Sequence, residues 1–237
     1  MLFRSAHTPD FVACTKGIVA AGAVAVLLSN THCRTNSFEA AEAADRLRHS
    51  GCTLLFADPA HQAIAQALGF VIAERFEESN LTLWSSPKPN PARHPGAASL
   101  FVYTSGSVGG PKAVVLPRKA LSWIESVNES LYDWRDADRY ISMLPMTHLA
   151  GFSGVQSALA AGVNVAVGPS ATFVGRVKEA FDKHRPSVAG LVPWQIDRLF
   201  SGLEPSSLNS LRLVVSSAAP LTKGIANRAL EIGRAHV

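Results

Sequence analysis

Apolar residues recur along this chain at two alternating spacings. Phe11, Val12 and Ile18 follow Pro9-Asp10 at helical intervals, which predicts a helix ending near Gly22. Residues 23–28 form a short continuous apolar run, the pattern of a buried strand. A helix over 37–49, a strand over 53–57 and a helix over 60–68 come next, the last with Ile64, Ala65 and Leu68 as its apolar side. Residues 85–96 hold four prolines and no apolar period, so they read as a linker or an extended excursion. Beyond them a strand ends at Tyr103, a second apolar run covers 114–116, and 118–131 has helical spacing. A strand over 139–143 is followed by three strand–helix units: 163–167 with 173–183, 187–191 with 193–200, and 211–215 with 222–230. This alternation predicts an α/β fold with a largely parallel sheet and crossover helices. The proline cluster places a boundary near residue 90, giving subdomains over 1–90 and 91–230.

The chemistry concentrates between the strand ending at Tyr103 and the run at 114–116. Thr104, Ser105 and Ser107 supply hydroxyls, Gly106, Gly109 and Gly110 supply backbone freedom, and Lys112 follows Pro111. Glycines let consecutive N–H groups turn toward an anion, hydroxyls donate to phosphate oxygens, and lysine adds a mobile charge. That set suits a triphosphate, although a Gly/Ser cluster between two apolar runs is also the composition of an ordinary surface turn. The Walker pattern is excluded, because Pro111 and Ala113 flank Lys112. No G-x-G-x-x-G opens a helix, so a dinucleotide fold has no support, and no G-x-S-x-G elbow supports a serine hydrolase.

The stretch Tyr103-Thr-Ser-Gly-Ser-Val-Gly-Gly-Pro-Lys112 resembles the signature of the adenylate-forming superfamily, which includes acyl-CoA synthetases and peptide-synthetase adenylation domains. Two positions depart from it: Val108 stands where the family usually has a hydroxyl, and Ala113 where it has glycine. Leu144-Pro-Met-Thr-His148-Leu-Ala-Gly151 resembles the family's Leu-Pro-x-x-His-x-x-Gly motif beside the acyl pocket. Gly190-Leu-Val-Pro193-Trp194 is similar to a Val-Pro segment that helps wall that pocket, and Ser216-Ser217-Ala218-Ala219-Pro220-Leu221 to a segment lying along the adenine of ATP. Each has an ordinary reading too: His148 as a helix cap or a satisfied core group, Pro193 as a common helix-starting residue.

The resemblance implies the front part of a large N-terminal α/β domain with two mostly parallel sheets and flanking helices. It implies ATP, Mg2+ and coenzyme A, with activation of a carboxylic acid as acyl-adenylate and transfer to a thiol. Thr104, Ser105, Gly106, Ser107, Gly109, Gly110 and Lys112 would hold the phosphates. Ser217, Ala218, Ala219 and Pro220 would line the adenine, and His148, Gly151 and Pro193 the acyl site. Residues 143–152 contain no acid to meet a substrate amine, so the segment looks more like a fatty-acyl or aryl CoA ligase than an amino-acid activator. The alternatives are an amino-acid adenylation fragment or a truncated nucleotide-binding module that turns nothing over. The start is trimmed relative to the family, and its magnesium-binding Glu, its ribose-binding Asp and its C-terminal domain would lie beyond Val237. The chain alone is therefore expected to be inactive. Residues 231–237 resemble the translation of a common sequencing adapter and are expected to be non-native.

Composition adds bounds. Hydrophobic residues are 47% of 237 and charged residues 17%, enough apolar content for a substantial core. A net charge of +4 is scattered rather than striped, which argues against a nucleic-acid partner and is compatible with anionic small molecules. Cys14, Cys33 and Cys52 match no zinc or redox spacing and are expected to be free thiols in a cytoplasmic protein. The apolar stretch 18–28 is too short to span a bilayer, which takes about 20 residues.

Overall fold

Thr8 opens the first helix. It is extended (φ −121°, ψ 154°), its hydroxyl accepts from the Phe11 N–H at 3.4 Å, and Pro9 supplies the preset φ of a first turn. Helix α1 thus runs Pro9–Ala20 and buries Phe11, Val12, Thr15 and Ile18 along one stripe. The computed structural model describes residues 2–4, 8–28, 37–79, 81–88, 98–104, 112–168, 174–202 and 205–231. Most of the proline-rich segment and the tail from residue 232 lie outside these.

The chain divides into two compact units, residues 1–121 and 122–237. The first contains β1 (Leu2–Arg4), β2 (Ala25–Leu27), α2 (Ser37–Ser50), β3 (Leu54–Ala57), α3 (Gln62–Ala67), β4 (Val71–Phe76), β5 (Leu81–Ser85), β6 (Ala98–Thr104) and β7 (Lys112–Pro117). Its described strands form one sheet in the order β4-β5-β3-β1-β2-β6-β7. The centre is parallel, but β4, β5 and β7 join antiparallel, so this sheet is mixed at its edges. The apolar pattern predicts nothing between residues 68 and 85. The hairpin of β4 and β5 was hidden because β4 is exposed along nearly its whole length and shows no buried alternation. The division falls after Leu121 rather than near residue 90. Leu100–Val102 pair in parallel register with Ala25–Leu27, so β6, with β7 behind it, belongs to the first sheet.

Tyr103 secures the end of β6. It is buried, its hydroxyl donates to the Arg46 carbonyl at 2.9 Å and lies 3.1 Å from His49 Nδ1, and the Arg46 guanidinium sits 5.0 Å from its ring centre. Burial pushes the phenol up to about 12, so it remains a donor at neutral pH. Cys14 and Cys52 are free and half-buried, and burial raises both thiols, Cys14 to about 11.

Helix α4 (Arg118–Tyr132) crosses the division. The second unit continues with β8 (Arg139–Ser142), α5 (Leu149–Ala160), β9 (Asn164–Val167), α6 (Val174–His184), β10 (Val188–Leu191), α7 (Pro193–Gly202), α8 (Pro205–Leu208), β11 (Leu213–Ser216) and α9 (Lys223–Glu231). Its four described strands are all parallel, in the order β11-β10-β8-β9. Strand alternation sends Ile141, Ala189, Leu191 and Val214 into one core with Phe181 of α6, Ile196 and Leu199 of α7 and Ala229 of α9. Tyr140 and Gly190 face the other side, where α5 packs. A Cβ at Gly154 of α5 or at Gly190 would collide with the Tyr140 hydroxyl, so both glycines are required by close approach. Among the described residues no helix is long and apolar enough to cross a membrane.

The amino ends of these strands are held by Asp138, which is 3% exposed. Arg212 grips both carboxylate oxygens, Ser187 Oγ donates at 2.6 Å and the Arg135 N–H at 2.9 Å. Arg212 also donates to the carbonyls of Tyr132 and Asp133 at the end of α4. Burial alone would raise the Asp138 carboxyl, but these donors outweigh it and hold the pKa at about 2, against an ordinary 3.8. A lowered folded-state pKa gives stability that is complete above the unfolded value and is lost as pH falls through the folded one. Asp138 should thus contribute about 2 kcal/mol that disappears between about pH 5 and pH 2. Urea midpoints across that range should fall for the native chain. For Asp138→Asn they should start about 2–3 kcal/mol lower at pH 7 and vary less with acid.

Candidate functional site

The order β9-β8-β10-β11 reverses direction between β8 and β10. The chain leaves β8 for β9 on one side and then crosses to β10 on the other. At such a switch point the connections diverge from the carboxyl ends of neighbouring strands and leave a crevice between them. A cleft of about 350 Å³ lies there. Met143 and Leu144 border it from the end of β8, His148 and Gly151 from the start of α5, Val192 and Trp194 from the β10–α7 turn, and Ala218 from the end of β11.

Local hydrogen bonds set these walls. The Met143 N–H donates to the Gly190 carbonyl at 3.1 Å, extending the β8–β10 ladder by one residue. Gln195 then bridges the two exits: its Oε1 accepts from the Val192 N–H at 2.9 Å, and its Nε2 donates to the Met143 carbonyl at 3.3 Å. Gln195 is buried and was absent from the sequence-based site. A polar residue three positions after the valine that follows a strand could have marked it as a local N–H acceptor.

His148 takes the N-cap position of α5 with extended backbone (φ −101°, ψ 147°) but makes no side-chain capping bond. It is exposed, its N–H donates to the Pro145 carbonyl at 3.0 Å, and its side of the helix start faces the cleft. Gly151 has a steric reason of its own. A Cβ there would meet the carbonyl oxygens of Pro145 and Leu144, so the helix can sit this close to the preceding turn only without a side chain. Pro193 is the buried first residue of α7, in keeping with the helix-starting reading, while its neighbours Val192 and Trp194 border the cleft.

At the end of β11 the Ser217 N–H donates to the Leu191 carbonyl at 3.1 Å, and the hydroxyls of Ser216 and Ser217 are buried without a hydrogen-bond partner among the described residues. Ala218 then turns with φ +69°, a left-handed conformation rare for a residue with a Cβ. Ala218, Ala219 and Pro220 are exposed, and Ala218 reaches the cleft. Thus His148, Gly151 and Ala218, predicted from separate motifs, border one cavity.

The phosphate-loop residues belong to the first unit. Thr104 and Lys112 are register partners at the mouth of the β6–β7 hairpin, with Thr104 Oγ1 3.4 Å from the Lys112 carbonyl and both side chains exposed. Ser105, Gly106, Ser107, Gly109 and Gly110 lie outside the described residues. Ala113 pairs with Tyr103 and packs against the core cluster of that sheet, so a methyl is accommodated where the signature usually has glycine. Among the described residues no group of His, Cys, Asp and Glu side chains could hold a metal ion.

Residues 2–237 match the sequence profile of the AMP-binding enzymes. The chain belongs to the AMP-binding enzyme family. It is 29% identical over 136 residues to an indoleacetate–CoA ligase of Aromatoleum aromaticum, covering 54% of this chain and 26% of that ligase. It is 31% identical over 134 residues to 4-coumarate–CoA ligase 3 of Arabidopsis thaliana, covering 53% and 24%. The amide bond synthetase McbA of Marinactinospora thermotolerans superposes with a TM-score of 0.78 at 24% identity, over 99% of this chain and 48% of that one, which establishes the shared fold. The matched stretches span about a quarter of those curated relatives, and the chain about half of the solved structure.

Two substitutions test the backbone geometry of the cleft. Gly151→Ala should cost about 1–3 kcal/mol, since backbone carbonyls must move to admit the methyl. Ala218→Gly should raise stability by up to about 1 kcal/mol by relieving the left-handed strain. Denaturant midpoints of the two variants read both effects.

Proposed function

We propose that the chain forms part of an ATP-dependent acid–CoA ligase. A carboxylate attacks the α-phosphorus of ATP, forming acyl-adenylate and releasing pyrophosphate. The thiol of coenzyme A then attacks the acyl carbon, forming the thioester and releasing AMP. The observation that carries this reading is the switch-point cleft, where the predicted acyl residues His148 and Gly151 and the predicted adenine residue Ala218 border one cavity.

In this reading the hydroxyls of Thr104, Ser105 and Ser107, the N–H groups around Gly106, Gly109 and Gly110, and the Lys112 ammonium bind the β- and γ-phosphates. They stabilise charge that grows on the departing pyrophosphate. The main chain of Ser217, Ala218, Ala219 and Pro220 approaches the adenine. His148 and Gly151 orient the acid, with His148 positioning rather than abstracting a proton, since a carboxylate arrives already ionised at neutral pH. Mg2+ accompanies ATP in such chemistry, and among the described residues no group of His, Cys, Asp and Glu side chains could hold it. None of the described residues lining the cleft is acidic, which disfavours an amino-acid substrate whose ammonium would need a counter-charge.

Titration calorimetry with ATP should give saturable binding to the chain, weakened about tenfold in Lys112→Ala and largely restored in Lys112→Arg. Absence of ATP binding by the native chain would overturn the reading. Acid-dependent exchange of pyrophosphate into ATP separates a ligase from a nucleotide-binding module that turns nothing over.

A further inference from the structure

Trp194 is 52% exposed, an unusual position for the largest apolar side chain, and it stands at the edge of the switch-point cleft. Its backbone is fixed on three sides. Pro193 begins α7 and is buried, the Val192 N–H is held by Gln195, and the Gln195 side chain returns to the Met143 carbonyl. The indole is therefore a half-open aromatic wall on a rigid mount. Leu144, Gly151 and Ala218 also border the cavity. Among the described lining residues His148 is the ionisable one, and the rest of the surface is predominantly apolar.

We propose that Trp194 is a specificity-determining residue and that the cleft selects flat, aromatic monocarboxylic acids over straight-chain ones. This rests on the ligase reading, and it narrows the acid to a class. A planar ring lies against the indole in an offset stack. The volume of about 350 Å³ is near the lower end of the ~300–1,000 Å³ of small-molecule sites, and with the Ala218 end given to the adenine the remainder beside Trp194 admits a compact acid. A flexible alkyl chain gains less from a flat wall and must freeze several torsions to lie on it. An ammonium-bearing acid finds no counter-charge among the described lining residues.

The test is titration calorimetry on the native chain, Trp194→Ala and Trp194→Phe, using indole-3-acetate and octanoate as probes. Each acid is titrated alone and after saturation with ATP. The half-exposed position makes both variants tolerable to the fold, and circular-dichroism melts confirm it. Native chain should bind indole-3-acetate at least tenfold more tightly than octanoate. Trp194→Ala should weaken the aryl acid about tenfold and octanoate less than threefold, and Trp194→Phe should restore most of the aryl affinity. Equal affinity for the two acids, or an aryl affinity unchanged in Trp194→Ala, overturns the inference even when ATP binds and the ligase reading stands. Tryptophan-dependent aryl binding without any ATP binding sustains the inference and overturns that reading. Failure to bind either acid overturns the inference outright.

Discussion

The second unit depends on the carboxylate of Asp138. Parallel strands joined by helical crossovers come from distant parts of the chain, and nothing local sets where one begins relative to the next. Asp138 precedes β8, Ser187 precedes β10 and Arg212 precedes β11, so their shared hydrogen bonds align three strand starts at once. The same guanidinium holds the carbonyls that end α4. A charge this buried would be costly in isolation, and it is tolerated because both oxygens are fully engaged by donors. With the strand starts aligned, the strand ends are aligned as well, and the exits of β8, β10 and β11 present their turns to a common cleft.

Gln195 performs the corresponding task at the other end. It has one acceptor and one donor group, and each joins a different strand exit, so the β8 and β10 turns cannot drift apart without losing a buried hydrogen bond. Between these two fastenings the sheet is packed by shape. Tyr140 fills the space over Gly154 and Gly190, and the aromatic rings of Tyr132 and Trp134 stack at 4.6 Å beside it. Charge at one end, an amide at the other and close packing between them give the cleft a fixed outline.

Much of this was legible in the sequence because the decisive signals are local. Buried parallel strands such as Val188–Leu191 read as continuous apolar runs, and the helices between them show a single apolar stripe. The motif resemblance correctly anticipated the family. The β4–β5 hairpin was not legible, since β4 lies at an exposed edge where either face can be polar. The unit boundary was misread because prolines report where the backbone cannot pair, not which sheet the next strand joins. Gln195 and Asp138 escaped notice for a related reason. Their partners lie 52 and 74 residues away in sequence, and no periodicity encodes such a pairing.

Gly151 and Ala218 show opposite solutions to one geometric demand. At 151 the backbone of α5 comes so close to the preceding turn that no Cβ fits, and glycine is the residue present. At 218 the chain must turn left-handed because it is fixed on both sides: Ser217 donates to the β10 carbonyl of Leu191, and Thr222 caps α9 through the Ile225 N–H. Glycine would satisfy that turn without strain, yet alanine occupies it. Ala218 borders the cleft, so the strained turn is part of the cavity's rim. Backbone strain retained where a side chain contributes to a binding surface is the expected mark of a site shaped for a ligand rather than for stability.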